Sequence, residues 1–346
     1  MKKLLLVLLA TTLLLVSGCA SDAGRAAGPP NGGRPSGHGG TFAPVSASSD
    51  PYAASIDMFH RLGLQVWVDS DLAGRWQDGR QAFHAALVRD AQLAQRPGVV
   101  GIKVADELGY NDGLDTPEQV QQFLDATARA VHRMAPGTKI LVDMVVPDLG
   151  CLGWLAAQLP QAGQCAAQER SANPAANMKA VGGYLASGTI DALDLSTSLR
   201  DPDEYASWGI GIDQAQRAAW TEVKRLGWAN EVTLQTRHAM AHPGTYPSDA
   251  ATAWTDVHTY VQIPTAEGAH AVQVWAWRQE YDGQTVRLVD PGLRPNPLWQ
   301  ALLAARRAGV FMTTTFTPSS VEKSPEVDAR MIAQVFKGVY VAAGTG

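Results

Sequence analysis

Two adjacent acids, Asp106 and Glu107, end an apolar run that carries a lysine at position 103. The run from Gly101 to Ala105 is rich in β-branched residues and is short enough for a buried strand. Two nearby carboxyl groups suit general acid–base chemistry, because the charge of one raises the pKa of the other. The stretch therefore predicts a reactive site at a strand end, beneath a loop that holds Tyr110 and Asn111.

The rest of the chain alternates short β-branched runs with longer amphipathic segments. Eight runs read as strands: Thr41–Val45, Leu64–Asp71, Val99–Glu107, Ile140–Val146, Ile190–Ser198, Val232–His238, Ala271–Trp277 and Gly309–Phe316. Such alternation predicts a parallel sheet with crossover helices, and eight units favour a closed α/β (β/α)8 TIM barrel. The ends leave two alternatives. The barrel either ends with its eighth unit, or it is permuted so that the C-terminal VYVAAG takes the place usual for the first strand.

Strand side chains alternate between the two faces of a sheet. One face of these runs is aliphatic and should lie under the helices. The other is polar or aromatic and should face the barrel axis: Gln65, Trp67, Asp69, Asp71, Lys103, Glu107, Asp143, Asp194, Ser196, Ser198, Gln235, Arg237, Gln273, Trp275 and Trp277. Charges are costly to bury unless they are paired, and barrel active sites lie at the C-terminal strand ends. This set is therefore either an ion-pair network or the floor of a site.

The segment RPGVVGIKVADELGYNDG resembles the fourth-strand signature of bacterial glycoside hydrolase-like (β/α)8 proteins of clan A, which reads roughly HPALLGWYLADEP. HRLGLQVWVDSDL, APGTKILVDMV and AVQVWAWR are similar to other strands of that group. The resemblance implies that Glu107 is the acid/base and that the last strand offers a tryptophan to a sugar. Two departures stand out. Leu108 replaces the usual proline, and Gln235 stands near the place of the nucleophilic glutamate, where an amide cannot form a glycosyl ester.

The second carboxylate that glycoside hydrolysis requires must then come from elsewhere. The catalytic candidates are Glu107, Asp69 and Asp143. The candidates for substrate binding are Asp71, Asp106, Tyr110, Asn111, Asp194, Gln235, Arg237, His238, Trp275, Trp277 and Glu280. The alternative for Glu107 is a structural ion pair with Lys103, Arg237 or Arg278, and the alternative for the tryptophans is core packing. The histidines lack a metal-ligand layout, and no metal or cofactor is expected.

The N-terminus predicts export. Residues 1–18 have a basic start and a short apolar stretch, and Val16-Ser17-Gly18-Cys19 resembles a lipobox, which makes Cys19 the lipid anchor. An ordinary secretory signal is the alternative. Residues 19–40 are rich in Gly, Pro and Ser and read as a disordered tether, so that 41–346 form the barrel domain. In an oxidising compartment Cys151 and Cys165 suit a disulfide.

The net charge of −5 is spread without long runs, which excludes the basic face that nucleic-acid binding requires. The first hypothesis is an exported, membrane-anchored glycoside hydrolase-like protein that is monomeric, acts on a polysaccharide and touches the membrane only through its lipid. The second is an inactive barrel that binds glycans. The third is a structural envelope lipoprotein whose axial charges are simply paired.

Overall fold

A computed structural model describes residues 50–342, and within them eight parallel strands close into a barrel surrounded by helices. The barrel strands are β1 (Gln65–Asp69), β2 (Val99–Ala105), β3 (Lys139–Val145), β4 (Ala192–Ser196), β5 (Thr233–Ala239), β7 (Ala271–Tyr281), β9 (Met312–Phe316) and β10 (Gly338–Ala342). The short β6 (His242–Pro243) and β8 (Gln284–Arg287) pair antiparallel above it. The predicted α/β TIM barrel is confirmed.

The strand order shows how the barrel closes. β1 pairs with β2 on one side and with β10 on the other, while β5 pairs with β7 to complete the circle. The C-terminal strand β10 lies between β9 and β1, so the eight described barrel strands follow one another around the barrel in chain order. The run Thr41–Val45, the signal segment, Cys19 and the tether lie outside the described residues.

Helices connect successive strands. They are α1 (Pro51–Arg61), α2 (Leu72–Gln77), α3 (Arg80–Ala94), α4 (Pro117–Met134), α5 (Pro147–Gly150), α6 (Pro160–Ala172), α7 (Met178–Ala186), α8 (Pro202–Ser207), α9 (Ile212–Arg225), α10 (Ala250–Val257), α11 (Ile263–Ala266), α12 (Pro297–Arg307) and α13 (Pro325–Val335). None of the helices within residues 50–342 has both the length and the apolar character that crossing a bilayer requires.

Helix α4 shows how local sequence sets these elements. Thr116 caps it, Pro117 occupies the first turn, and Gln119 closes a capping box with Thr116. Its buried face carries Val120 and Phe123, which pack into the core between the helices and the outer face of the strands.

A second, smaller core fills the barrel axis. Trp67 stacks on Tyr340 with ring centroids 6.3 Å apart, and both pack with Leu141. The tryptophan ring needs the space that Gly101 leaves, because a Cβ there would lie 2.2 Å from Trp67 Cζ3 and 2.4 Å from the Lys139 carbonyl oxygen. This aromatic layer lies beneath the polar residues at the strand ends.

A disulfide joins the segment after β3 to α6. Cys151 and Cys165 are bonded, with their Cα atoms 5.4 Å apart. Cys151 is fully buried, and Arg200 Nη2 donates a hydrogen bond to its sulfur at 3.3 Å. The bond therefore fixes a loop that belongs to the C-terminal end of the barrel.

Candidate functional site

Seven charged side chains meet at the C-terminal end of the barrel, and we call them the axial cluster. Its members are Asp69, Lys103, Asp106, Glu107, Asp143, Asp194 and Arg237. Strand register brings them together. Asp69 lies opposite Lys103 across β1 and β2, and Asp143 lies opposite Asp194 across β3 and β4. These residues therefore lie on the face of the strands that points to the barrel axis, as predicted from the sequence.

Lys103 is the buried cation on one side of the cluster. Its Nζ lies 3.2 Å from Asp69 Oδ1 and 3.0 Å from Asp106 Oδ1. Burial lowers the pKa of this ammonium, but the two carboxylates outweigh burial and raise the pKa above its ordinary value. Lys103 is therefore a fixed positive charge and does not offer a neutral amine as a nucleophile.

Arg237 is the cation on the other side and contacts three carboxyl groups. Its Nη1 lies 3.0 Å from Asp143 Oδ2 and 3.5 Å from Asp106 Oδ1, and its Nη2 donates to Glu107. Burial lowers its pKa, but the carboxylates outweigh this effect and raise the pKa. Asp106 bridges Lys103 and Arg237, so all members of the cluster except Asp194 form one connected network.

Asp143 and Asp194 form the deep end of the cluster and are fully buried. Burial raises the pKa of both carboxyls, and the pKa of Asp194 rises to about 7 although Arg237 and Lys103 oppose the shift. Within the described chain, neither oxygen of Asp194 has a hydrogen-bond partner. An ionised carboxylate without hydrogen bonds is costly in such a place, so protonation near neutral pH relieves the site.

Asp106 and Glu107 form the outer end, where a ligand can reach them. The side chain of Asp106 is 63% exposed and that of Glu107 is 22% exposed. Desolvation of the carboxylate where it meets Lys103 and Arg237 raises the pKa of Asp106, but the charges of these two cations outweigh that effect and hold the pKa below its usual range. The cluster thus runs from buried carboxyls with a raised pKa at the bottom to an exposed carboxylate with a lowered pKa at the mouth.

Glu107 is held in an unusual backbone conformation. Its φ of 51° lies in the left-handed region, which a long side chain rarely adopts. Leu108 N donates to the Asp143 carbonyl at 2.9 Å, and Asn111 Nδ2 donates to Glu107 Oε2. Strain of this kind persists where the surroundings impose it, and it is frequent at functional sites.

Neutral polar groups pack beside the charges. Tyr340 Oη donates to Gln235 Oε1 at 2.7 Å, and Gln273 Nε2 donates to Thr315 Oγ1 at 3.0 Å. Gln235 is buried, and its carbonyl oxygen accepts the tyrosine hydroxyl. The residue at the expected place of the nucleophile is therefore an amide fixed in the barrel floor.

Two aromatic side chains of the β7–β8 hairpin, Trp275 and Tyr281, lie side by side, and we call them the aromatic wall. Trp275 is half-buried, donates through Nε1 to Gln279 Oε1 at 3.1 Å, and meets Tyr281 edge to face at 5.1 Å. Glu280 is exposed on the same hairpin and accepts from Thr285 Oγ1 at 2.5 Å. Trp275 therefore stays a candidate for contact with a ligand, while Glu280 is a rim residue bound to the opposite strand.

The structure does not bring Trp277 to the mouth, which corrects its place in a binding platform. It is 1% exposed, donates through Nε1 to Asp328 Oδ2 at 2.9 Å, and packs against Trp299. The cause is a register irregularity in β7 between Val274 and Arg278, which moves Trp277 to the helix side of the wall.

Other predicted binding residues have local roles. Asp71 is exposed and caps α2 by accepting from Gly74 N at 2.9 Å. The His238 ring stacks on Tyr260 with centroids 3.5 Å apart, and burial together with Arg237 lowers its pKa to about 4. His238 is therefore neutral at neutral pH, and it lines a cavity at the end of β5. Tyr110 is half-buried in the loop after Glu107.

Lys103 and Tyr340 belong to the site but were not among the predicted site residues. Lys103 stood out as a lysine within an apolar strand, and that signal marks a buried ion pair. Tyr340 could be found only by knowing that the C-terminal strand closes the barrel. No group of three or more His, Cys, Asp or Glu side chains placed to hold a metal ion occurs within residues 50–342.

No protein-family model matches this chain, and no curated protein matches it. Several solved structures do. The carboxyl transferase domain from Rhizobium etli pyruvate carboxylase with 3-hydroxypyruvate is 12% identical with a TM-score of 0.44, and the match covers 86% of this chain and 42% of that one. A putative phosphonomutase from Burkholderia cenocepacia J2315 is 13% identical with a TM-score of 0.42, covering 83% and 92%. 2,3-dimethylmalate lyase, a PEP mutase/isocitrate lyase superfamily member, is 11% identical with a TM-score of 0.37, covering 84% and 80%.

The chain spans less than half the length of the pyruvate carboxylase chains that it matches. These matches name a carboxyl transferase, a phosphonomutase and a lyase instead of glycoside hydrolases. The prediction of a glycoside hydrolase is therefore wrong, and so are the predicted polysaccharide substrate and the alternative of glycan binding. The geometry agrees with this correction, because Gln235 is an amide in the barrel floor and Glu107 is paired with Arg237.

Proposed function

We propose that the mouth of the barrel binds a small cationic ligand, namely a primary amine, between Asp106 and Glu107. The observation that carries this proposal is a charge imbalance: five carboxyl groups share two cations in the axial cluster. Lys103 is engaged by two of these groups and Arg237 by three.

The sign of the ligand charge follows from how these cations are used. An anionic ligand would have to displace a carboxylate from Lys103 or Arg237 to gain a positive partner. An ammonium group instead finds Asp106, which two cations keep ionised and which is largely exposed. Charge-assisted hydrogen bonds from an ammonium to such a carboxylate are stronger than neutral ones.

The buried carboxyl groups of Asp143 and Asp194 allow the axial cluster to accommodate the positive charge of an ammonium group. The five carboxyl groups of the cluster exceed its two cations, and burial raises the pKa of Asp69, Asp143 and Asp194, that of Asp194 to about 7. A bound ammonium balances that excess and lowers the pKa of Asp194, since a nearby positive charge favours the ionised carboxylate. Binding should therefore release protons near pH 7, where Asp194 is poised.

The aromatic wall supports the same ligand class. Trp275 is half-buried and Tyr281 is 40% exposed, and they meet edge to face above the strand ends. Aromatic faces attract ammonium groups through their quadrupoles, with about 0.5–1 kcal/mol at exposed sites. The wall also offers apolar surface to the carbon chain of an alkylamine.

Isothermal titration with n-butylamine and 1,4-diaminobutane tests the proposal. Saturable binding is expected, with a weakening of about tenfold in Asp106→Asn and in Glu107→Gln. Glu231→Gln is the matched control, because Glu231 is exposed beside the N-terminal end of β5, away from the mouth. Sodium butyrate is the control for charge and should not bind.

Two results would overturn the proposal. If neither amine binds, the axial cluster is a structural ion-pair network, which was the third hypothesis from the sequence. If butyrate binds and the amines do not, the sign of the ligand charge is wrong.

We also propose that the protein works outside the cytoplasm, held by a lipid on Cys19. The lipobox-like Val16–Cys19 and the disulfide between Cys151 and Cys165 support this localisation, because disulfides persist in oxidising compartments. Cell fractionation of the full chain tests it: Cys19→Ala should move the protein out of the membrane fraction. Equal fractionation of both forms would contradict the anchor.

A further inference from the structure

Two arginines of the β7–β8 hairpin, Arg278 and Arg287, lie beside each other, and we call them the arginine pair. They are directly opposite in the antiparallel ladder of the two strands. Side chains in such positions project from the same face of a hairpin and are neighbours. Both guanidinium groups reach one atom, since Arg278 Nε and Arg287 Nη1 each lie 3.1 Å from Glu322 Oε2. The two positive charges are therefore held side by side.

Glu322 is the only carboxylate within residues 50–342 that forms an ion pair with either arginine. Its Oε1 accepts a hydrogen bond from Gly292 N at 2.8 Å. That hydrogen bond lowers the pKa of Glu322, and the two arginines add to the effect although partial burial opposes it. Glu322 is therefore ionised at neutral pH, and two positive charges meet one negative charge.

Two further acids of this region are engaged elsewhere. Asp328 is fully buried and accepts from the backbone N–H groups of Glu322 and Lys323. Glu280 is exposed near the end of β7 and accepts from Thr285 Oγ1. Neither forms an ion pair with the arginine pair, so one positive charge has no carboxylate partner in the described part of the chain.

Each guanidinium group keeps a donor that a ligand can reach. Arg278 donates through Nε to Glu322 and through Nη1 to Ser320 Oγ at 2.9 Å, and Arg287 donates through Nη1 to Glu322. The Nη2 atoms of both arginines make no hydrogen bond within residues 50–342, and neither atom is buried. Each Nη2 therefore offers two N–H groups that are accessible to solvent.

The charge and the free donors of the arginine pair suit a phosphate group. Guanidinium groups bind phosphate through charge-assisted hydrogen bonds, which are stronger than neutral ones. A phosphate carries about −1.5 to −2 charges at pH 7 and presents three acceptor oxygens. It can therefore bond to both Nη2 groups at once and neutralise the unpaired positive charge, whereas a carboxylate offers less charge and only two oxygens.

We propose that the arginine pair binds a phosphate group, either inorganic phosphate or a small phosphate monoester. Arg278 Nη2 and Arg287 Nη2 donate to its oxygens, while Glu322 and Ser320 fix the two guanidinium groups. This site does not depend on the proposed amine site, because within the described chain no hydrogen bond or ion pair joins the arginine pair to the axial cluster.

Isothermal titration in a buffer free of phosphate tests the proposal, with inorganic phosphate and glycerol 3-phosphate as probes. Both should bind saturably to the wild-type protein. Tighter binding of glycerol 3-phosphate would identify a monoester as the ligand, and equal or weaker binding would identify inorganic phosphate. Sodium butyrate should not bind saturably, and butyrate that binds as tightly as phosphate would overturn the assignment of a phosphate.

Two variants locate the bound phosphate. Arg278→Gln and Arg287→Gln should each weaken the binding of inorganic phosphate about tenfold. Arg133→Gln is the matched control, because Arg133 is exposed in the last turn of α4, which precedes the N-terminal end of β3. If Arg278→Gln fails to fold, Arg287→Gln still decides, because Arg287 makes one hydrogen bond through its guanidinium group and Arg278 makes two. No saturable binding to the wild-type protein would overturn the proposal. Unchanged affinity in the folded variants of the arginine pair would also overturn it, because the phosphate would then bind to another cation.

Discussion

Replacing Asp194 by Asn should stabilise the protein, and the gain should grow with pH. Asp194 is fully buried, its oxygens lack hydrogen bonds within the described chain, and burial raises its pKa to about 7. An aspartate in the unfolded chain titrates near 3.9. Between these values the folded state holds a proton that the unfolded state has lost.

The sign of the effect follows from this difference. Stability changes with pH according to the protons bound by the unfolded state minus those bound by the folded state, and here that difference is negative. The contribution of Asp194 is therefore fully present below about pH 4 and is lost as pH rises through about 7. The slope is about 1.4 kcal/mol per pH unit, which gives a loss of about 3 kcal/mol between pH 5 and pH 8.

Asparagine keeps the shape of the side chain and cannot ionise. The free energy of unfolding of Asp194→Asn, measured by urea titration with tryptophan fluorescence, should exceed that of the wild type by about 3 kcal/mol more at pH 8 than at pH 5. Asp282→Asn is the matched control. Asp282 is an exposed residue of the β7–β8 turn with a φ of 48°, a conformation that Asn tolerates.

Wild-type and Asp194→Asn curves that stayed parallel between pH 5 and pH 8 would contradict a raised pKa for Asp194. That result would mean that Asp194 is ionised throughout this range and that a partner holds its charge. A stability that falls equally in Asp282→Asn and Asp194→Asn would place the pH dependence elsewhere.

Three further sets of substitutions test the ion pairs of Arg237, the aromatic residues of the barrel axis and the disulfide. Arg237→Gln removes the cation that pairs with Asp106, Glu107 and Asp143. It should lower the free energy of unfolding, measured by urea titration, by about 3–5 kcal/mol at pH 7 and by less at pH 5. An equal loss at both pH values would mean that lost packing, and not lost charge, causes the effect. Gly101→Ala should lower the free energy of unfolding by about 1–3 kcal/mol and change the fluorescence of Trp67, because the new Cβ would clash with that ring. An unchanged free energy of unfolding would mean that the aromatic residues of the axis can shift to accommodate the Cβ. Cys151→Ser with Cys165→Ser should lower the free energy of unfolding by about 3 kcal/mol, which wild-type protein under reducing conditions should match.

The barrel could be predicted because alternation of β-branched runs and amphipathic helices specifies it locally. The axial residues Asp69, Asp143 and Arg237 followed from the period of two in regular strands. Prediction failed where strands become irregular. Trp277 lies beyond a register shift in β7, and Asp106 reaches both cations after another shift in β2, between Lys103 and Ala105.

The pairing of the C-terminal strand with β1, which closes the barrel, was the other feature that could not be predicted from the sequence. Tyr340 contacts Trp67 and Gln235 only because β10 pairs with β1, and these residues are far apart along the chain. The most specific part of the resemblance to glycoside hydrolases was the motif at one strand end, and such a motif fixes where a site lies more firmly than what it does. The axial cluster could be located from the sequence, while the balance of its charges required the structure.

Titration of the wild-type protein with n-butylamine at pH 7, in two buffers of different ionisation enthalpy, tests the proposed amine site most directly. Saturable binding is expected, with an apparent enthalpy that changes with the buffer, because Asp194 and its neighbours release protons as the ammonium enters. The same titration of Asp194→Asn should show a smaller dependence on the buffer. Absence of binding, or binding with the same enthalpy in both buffers, would contradict the claim that a cationic ligand replaces a proton in the axial cluster.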